Sequence, residues 1–182
     1  MNDKVYIFLA EGFEEIETKT PIDILRRAEI ECITVSTSNN IEVTGGHGIT
    51  IKADELFNEN SYKEARAIIL PGGGKGVENL KAHEGLKKVI HYFNDNKRLI
   101  AAICAAPTIL GELKILEGKR AVCYPGLEDK LIDAKVEHHM YCYDGHILTS
   151  RGAGTAMPFA LKLVEILKDD YTKDQIKNSI VY

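Results

Sequence analysis

Residues 99–107 read Leu-Ile-Ala-Ala-Ile-Cys-Ala-Ala-Pro and indicate the fold of the chain. Leu99 to Ile103 form a continuous apolar run without period-2 alternation, which is typical of a strand covered on both faces of a parallel sheet. A helix is predicted to begin at Pro107, so the buried strand leads almost directly into a helix. This succession is typical of an α/β protein.

Similar apolar runs predict buried strands at residues 5–9 and 67–70, and a β-branched stretch predicts a strand at 32–35. Further short strands are predicted at residues 49–51, 120–124, 138–142 and 147–150. Helices are predicted over 21–28, with Pro21 near the first turn, over 86–93, where apolar residues recur at helical spacing, and around 160–167. Because parallel strands need crossovers that cover both sheet faces, this alternation predicts an α/β sandwich with a mostly parallel sheet.

Composition favours one ordinary globular domain over residues 1–182. The 182 residues are 45% hydrophobic and 27% charged, with a formal net charge of -4. Lysine and arginine are scattered, which argues against a nucleic-acid partner. No apolar run reaches the roughly 18 residues of a membrane span, and the N-terminus does not resemble a signal peptide. A cytoplasmic protein without a membrane partner is therefore expected.

Cys104 is the leading candidate for a nucleophile. Ligand sites in open α/β sheets lie at the carboxyl ends of the strands, and Cys104 directly follows one of them. Alanines at positions 102 and 106 fit a nucleophile elbow, in which a sharp strand-to-helix turn leaves no room for large neighbours. The helix N-terminus is expected to lower the pKa of the thiol. The alternative is a buried cysteine that only closes a core strand.

Two further loops are predicted at the same sheet edge. The run Pro71-Gly72-Gly73-Gly74-Lys75-Gly76 follows the strand at 67–70 and could form an oxyanion hole or a plain tight turn. A phosphate cradle is disfavoured because the P-loop pattern is absent. The loop after the first strand contains four glutamates, which either form a solvated face or include a general acid/base for Cys104. Spacing does not choose among Glu11, Glu14, Glu15 and Glu17.

The remaining histidines and cysteines carry weaker signals. His138, His139 and Cys142 could suggest a metal site, but adjacent histidines on a strand point to opposite faces, so no metal is expected. Cys32 and Cys142 are expected to be packing residues. The other four histidines are expected on the surface: His47, His83, His91 and His146.

Four segments resemble the signatures of the ThiJ/PfpI superfamily, in the DJ-1-like branch named for the parkinsonism-linked protein deglycase. These segments are Ala10-Glu11-Gly12-Phe13-Glu14-Glu15-Ile16-Glu17-Thr18, Leu70-Pro71-Gly72-Gly73, Ala101-Ala102-Ile103-Cys104-Ala105-Ala106-Pro107-Thr108 and Leu148-Thr149-Ser150-Arg151-Gly152. The resemblance runs nearly end to end. It implies a flavodoxin-like three-layer sandwich and a homodimer, with no metal and no organic cofactor.

The resemblance also implies roles for particular residues. Cys104 corresponds to the reactive cysteine, and Glu17 corresponds to the glutamate bonded to its thiol. The oxyanion amides fall on Gly73 and Ala105. Many members carry a histidine where this chain has Tyr124, and tyrosine, with a reference pKa near 10, is a poor base at neutral pH. Glu17 is therefore expected to carry the proton transfers, and Tyr124 to position the substrate oxygen.

The activity implied by the resemblance is that of a glutathione-independent glyoxalase or protein deglycase. Its substrate class is small α-oxoaldehydes such as methylglyoxal, which become 2-hydroxy acids. The alternative is a redox-sensing chaperone or oxidative-stress protein with an oxidisable Cys104 and little catalytic activity. Glutamine amidotransferase and cysteine peptidase activities are disfavoured, because no histidine is placed to act as the base.

Overall fold

A central sheet with helices on both faces forms the body of the protein. The computed structural model describes residues 4–182, and residues 1–3 of the predicted domain lie outside the described residues. The strands are β1 Val5–Leu9, β2 Cys32–Ser36, β3 Glu42–Thr44, β4 Thr50–Lys52, β5 Glu55–Leu56, β6 Ala67–Leu70, β7 Leu99–Ile103, β8 Arg120–Ala121, β9 Lys135–Val136, β10 Tyr141–Asp144 and β11 Ile147–Ser150. The helices are α1 Glu15–Arg27, α2 Gly74–Ala82, α3 Glu84–Asp95, α4 Pro107–Glu112, α5 Ala156–Leu167 and α6 Asp170–Ser179.

The order of strands in the main sheet is β10-β11-β7-β6-β1-β2-β5 over residues 4–182. Only the pairing of β10 with β11 is antiparallel within this described sheet. The predicted α/β fold with a mostly parallel sheet is therefore confirmed. Strands β3 and β4 form a separate antiparallel hairpin, which lies over the N-terminal end of α1.

Alternation of side chains along the central strands builds two apolar layers. Val5, Ile7 and Leu9 of β1 join the cluster that contains the apolar faces of α1, α5 and α6. Tyr6 and Phe8 join the opposite cluster, with residues of α2, α3 and α4. Because both faces are covered, β1 is buried along its whole length, as its continuous apolar run predicts.

Helix α1 begins earlier than predicted. It begins at Glu15, so Pro21 lies inside the helix and not near its first turn. Proline has no N–H to donate to the carbonyl oxygen four residues before it, which here belongs to Glu17. Pro21 is nevertheless buried, and α1 packs closely against α5. Tertiary packing here overrides the local preference.

Other boundaries also differ from the predictions. Strand β10 begins at Tyr141 because the predicted residues 138–140 are exposed and lack a covered face. Strand β8 ends at Ala121, although the prediction extended to residue 124. The prediction that His146 lies on the surface is wrong. The residue is 8% exposed, and its Nε2 lies 3.0 Å from Asn94 Oδ1.

The strand order determines where the site lies. Strands β1, β6 and β7 are neighbours in the middle of the sheet, and their carboxyl ends lie at one edge. The loops after Leu9, Leu70 and Ile103 therefore meet, as expected. Among the helices of residues 4–182, none combines the length and the apolar character that crossing a membrane demands.

Candidate active site

Cys104 lies on a sharp turn between β7 and α4. Its backbone φ is 66°, in the left-handed region that side chains other than glycine rarely adopt. The Cys104 N–H donates to the Ser150 carbonyl oxygen at 2.9 Å, which ties the turn to the end of β11. Ala102 and Ala106 are fully buried on either side. The backbone at Cys104 thus has the geometry of the strand-to-helix elbow predicted from residues 102–106.

Glu17 is the glutamate that reaches Cys104. It lies in the first turn of α1 and is only 1% exposed. The Gly72 N–H donates to Glu17 Oε2 at 3.0 Å, the Ala153 N–H also donates to this carboxyl, and the carboxyl is hydrogen-bonded to the Cys104 side chain. Two separate segments, the loops that contain Gly72 and Ala153, therefore hold the carboxyl against the sulfur.

The other three glutamates have different partners. Glu14 Oε2 accepts the Glu17 N–H at 2.7 Å and caps α1. Glu15 is buried and accepts the backbone N–H of His47 at 2.6 Å, while its Oε2 lies 2.7 Å from His47 Nδ1. Glu11 accepts the Thr44 N–H at 3.2 Å. The four neighbouring carboxylates thus have different hydrogen-bond partners, a distinction that their spacing could not reveal.

Two backbone amides point at the sulfur. The N–H groups of Gly73 and Ala105 donate to Cys104 and favour its thiolate form. Gly73 has a φ of 94°, and a Cβ at this position would lie 2.4 Å from the Gly12 carbonyl oxygen. Only glycine fits that conformation and that space. The structure therefore places both predicted oxyanion residues beside the nucleophile.

The thiol and the carboxyl are both more basic than usual. Burial, with a smaller contribution from the negative charge of Glu14, raises the pKa of Glu17 to about 7, against the opposing effect of the hydrogen bond to Cys104. Burial, together with the charge of Glu17, raises the pKa of Cys104 to about 12. The expected lowering of the thiol pKa is therefore wrong, because these effects outweigh the Gly73 and Ala105 amides. The thiol therefore holds its proton more firmly than a free cysteine does, and Glu17 is the group placed to remove it.

Gly72 is a site residue that sequence reasoning missed. A Cβ on Gly72 would lie 2.3 Å from Glu17 Oε2 and 2.6 Å from Cys104 Cβ. Both contacts are far shorter than van der Waals separation, so the absence of a side chain allows the carboxyl and the thiol to meet. The run of three glycines signals a close backbone approach, but only the folded arrangement shows which of them faces the pair.

Gly72→Ala is expected to lower Cys104 reactivity by at least about tenfold, because the new methyl group displaces Glu17 from Cys104. Gly74→Ala is the matched control, since a Cβ there meets nothing within 4 Å. Rates of Cys104 alkylation by iodoacetamide, followed by mass spectrometry, measure the effect. Equal rates for Gly72→Ala and wild type would show that the site tolerates the displacement.

Tyr124 lies beside the pair and is half exposed. Its N–H donates to the Cys104 carbonyl oxygen at 2.8 Å. The Cβ position of Gly152 would be 3.5 Å from the Tyr124 ring and 3.8 Å from Glu17 Oε1. The ring thus borders the same small space as the carboxyl. Tyr124 is 52% exposed, which leaves it accessible to a molecule approaching the sulfur.

The cysteines differ in accessibility. Cys32, Cys123 and Cys142 are buried, whereas Cys104 is partly exposed. Burial raises the pKa of Cys32 to about 12 and that of Cys123 to about 11. Cys32 and Cys142 lie in or beside the core, as expected of packing residues.

The only metal-compatible group within residues 4–182 is not the one considered from the sequence. It comprises Glu14, Glu15 and His47, whose ligand atoms lie within 4.8 Å of one another. His138, His139 and Cys142 are not brought together in this way among the described residues. Glu14 and Glu15 already accept hydrogen bonds from backbone N–H groups, which explains their positions without a cation.

Comparison with known proteins gives consistent similarities. The DJ-1/PfpI family profile matches residues 3–166. Protein DJ-1 homolog B of Arabidopsis thaliana is 40% identical over 171 residues, or 90% of this chain and 38% of that protein. A protein named deglycase from Pyrococcus abyssi is 30% identical over 167 residues, or 91% of this chain and 99% of that protein.

Solved structures show the same similarity at the level of the fold. The oxidized DJ-1 of Toxoplasma gondii superposes with a TM-score of 0.92 and 32% identity, over 98% of each chain. This chain spans about two fifths of the length of the Arabidopsis relatives it matches. The family match includes the loops that hold Glu17, Gly73 and Cys104.

Proposed function

Because the chain belongs to the DJ-1/PfpI family, we propose that it is a cofactor-independent enzyme of the glyoxalase or deglycase type. Family membership confirms the resemblance carried by the four sequence motifs, and the flavodoxin-like fold is shared with the structural relatives. The proposed substrates are small α-oxoaldehydes such as methylglyoxal. The observation that carries the proposal is a buried carboxyl, Glu17, hydrogen-bonded to a thiol that also faces two backbone amides.

The first step is attack of the Cys104 sulfur on the aldehyde carbon. The Glu17 carboxylate removes the thiol proton as the S–C bond forms, and the carbonyl π electrons move to oxygen. The Gly73 and Ala105 amides, which already point at the sulfur, stabilise the resulting oxyanion. Protonation of that oxygen gives a hemithioacetal. Tyr124 borders this space and is proposed to position the substrate oxygen.

The second step moves a proton between the two substrate carbons. Glu17, which has returned the thiol proton to the first oxygen, removes the proton from the former aldehyde carbon and delivers it to the neighbouring carbon. The hydroxyl proton passes from the first oxygen to the second, which converts the hemithioacetal into the thioester of a 2-hydroxy acid. Water then cleaves the thioester, so methylglyoxal and water give lactate and the thiol is restored. A carboxyl with a pKa of about 7 suits this work, since it can accept and donate protons near neutrality.

The direct test is lactate formation from methylglyoxal without glutathione, followed by NMR. We expect turnover by the wild type, with kcat/KM rising as pH increases through about 7, where Glu17 loses its proton. A parallel assay uses the adduct of methylglyoxal with N-acetylcysteine as a deglycase substrate. Lactate formation no faster than in buffer, from either substrate across pH 6–9, would contradict the proposal.

The redox-sensing alternative makes the opposite prediction for this assay. It requires negligible turnover by the wild type and protection of unfolding client proteins that changes when Cys104 is oxidised. Holdase activity is measured with a thermally aggregating client before and after peroxide treatment. Turnover without any change in client protection would support the enzyme over the sensor.

We propose that the enzyme is a homodimer whose contact surface includes the start of α1. Ile16 is 54% exposed although both neighbouring residues are buried, and Ile49 on the nearby hairpin is 44% exposed. We infer that both side chains belong to one surface that a second copy of the chain covers, since contiguous apolar surface is typical of protein–protein contacts.

Ile16→Lys is expected to shift the protein from dimer to monomer, because a charge in the contact surface is costly to bury. Ile132→Lys is the matched control, since Ile132 is also exposed but lies far along the chain from α1. Sedimentation velocity distinguishes the two states. A dimer that persists in Ile16→Lys would exclude this surface as the contact.

A further inference from the structure

The start of α1 contains a contact that the proposed mechanism does not use. Glu14 Oε2 accepts the N–H of Glu17 at 2.7 Å. The backbone N–H of Glu14 donates in turn to the Gly72 carbonyl oxygen at 3.0 Å, while the Gly72 N–H donates to Glu17 Oε2 at the same distance. Glu14, Glu17 and Gly72 are therefore linked in one closed set of hydrogen bonds around the carboxyl that faces Cys104.

We propose that Glu14 is a positioning residue, whose carboxylate holds the backbone of Glu17 so that the Glu17 carboxyl faces Cys104, and whose charge sets how readily Glu17 takes up a proton. The catalytic meaning of this inference rests on the proposed function. Its consequence for the reactivity of the Cys104 thiol does not, because that reactivity can be measured without any substrate.

Glutamate is an unusual cap, and this supports a function beyond helix stability. Serine, threonine, aspartate and asparagine are the side chains that usually cap helices. A shorter side chain could accept the same N–H, so capping alone does not call for glutamate. Capping also does not explain why a second carboxylate lies beside a buried carboxyl, where like charges repel.

The charged surroundings of Glu17 are few and identifiable. The titratable groups that act on it are the Cys104 thiol, from the turn after β7, and Glu14, from its own helix. Glu14 raises the pKa of Glu17 because ionisation of Glu17 would place two negative charges together. Glu15 and His47 lie close to Glu14, and the His47 imidazole contacts the Glu15 carboxylate.

The chain offers a matched control at the start of α6. Asp169 Oδ1 accepts the N–H of Thr172 at 2.7 Å, with the same three-residue spacing and the same length as the bond from Glu17 to Glu14. Helix α6 packs on α5 at the C-terminal end of the chain. Asp169→Asn therefore makes the same chemical change to a cap without touching the site.

The test is the pH dependence of Cys104 alkylation by iodoacetamide, measured by mass spectrometry for wild type, Glu14→Gln, Glu14→Ala and Asp169→Asn. Glutamine keeps an oxygen that can accept the Glu17 N–H but has no charge. We expect Glu14→Gln to move the midpoint to lower pH by about half a unit or more, because Glu17 loses its proton more readily.

The alanine variant separates position from charge. Glu14→Ala is expected to show the same acid shift, and also a plateau rate about threefold or more below that of Glu14→Gln, because the Glu17 backbone is no longer held. Asp169→Asn is expected to leave midpoint and plateau unchanged. Melting curves for all variants show whether each is folded at the pH of measurement.

An unchanged midpoint in Glu14→Gln would overturn the inference, as would an equal shift in Asp169→Asn. The outcome is separable from that of the proposed function. A shifted alkylation midpoint without methylglyoxal turnover supports the inference and contradicts the proposed function. Methylglyoxal turnover with an unshifted alkylation midpoint in Glu14→Gln contradicts the inference and supports the proposed function.

Discussion

Cys104→Ser is expected to reduce lactate formation from methylglyoxal by at least about 10³-fold, because the nucleophile is removed and not merely displaced. A serine hydroxyl is a much weaker acid than a thiol, so a carboxylate with a pKa near 7 cannot activate it. The Gly73 and Ala105 amides remain in place, so any remaining rate measures what the oxyanion contacts achieve without the sulfur.

The appropriate control for this variant is Cys142→Ser. Cys142 is a buried cysteine of β10, on the edge strand of the main sheet, and its loss leaves the elbow intact. Lactate production is followed for wild type and both variants at the pH of maximal activity. Turnover by Cys104→Ser within tenfold of the wild type would remove Cys104 from the mechanism.

Glu17→Gln is expected to abolish turnover and, above pH 7, to make the protein more stable. The loss of activity follows from the loss of the base that takes the thiol proton. The gain in stability follows because Glu17 is buried, and its pKa rises from 4.5 to about 7 in the folded protein. Folding therefore favours the protonated carboxyl and disfavours the carboxylate.

The sign of the pH dependence follows from this raised pKa. Below the unfolded value the carboxyl is protonated in both states, and its contribution to stability is fully present. That contribution is lost as pH rises from 4.5 to about 7. The loss approaches about 3 kcal/mol above pH 7. Glutamine does not ionise, so the Glu17→Gln variant does not lose this stability as pH rises.

Urea unfolding at pH 5 and pH 8 measures the effect. The difference in the free energy of unfolding between Glu17→Gln and wild type is expected to be larger at pH 8 by about 2–3 kcal/mol. Glu42→Gln, on the exposed hairpin strand β3, is the control and is expected to show the same difference at both pH values. A pH-independent difference for Glu17→Gln would show that Glu17 ionises normally in the folded protein.

The geometry of the site indicates that it is costly to the fold. A left-handed Cys104, a buried carboxylate and a thiol beside it each oppose folding. Groups that oppose folding in this way are typical of sites retained for chemistry. Substitutions that stabilise the protein at this point are therefore expected to be the ones that inactivate it.

Much of the fold could be predicted from local patterns. Strands β1, β6 and β7 are continuous apolar runs, and their positions follow from burial on both faces. The elbow at Cys104 was also predicted, since small residues on both sides of a nucleophile reflect the steric demands of one turn. Features set by tertiary contacts could not be predicted in this way. Examples are the position of Pro21 inside α1 and the burial of His146.

The sequence by itself determined the α/β class, the loop that carries the nucleophile and the set of candidate partners. Only the tertiary structure decided that Glu17 meets the sulfur and that Gly72 leaves room for the carboxyl and the thiol. The physical reason is the separation along the chain over which each effect acts. Periodicity and turn sterics act between residues close in the chain, whereas the contacts that distinguish one glutamate from another join segments about 30 to 140 residues apart.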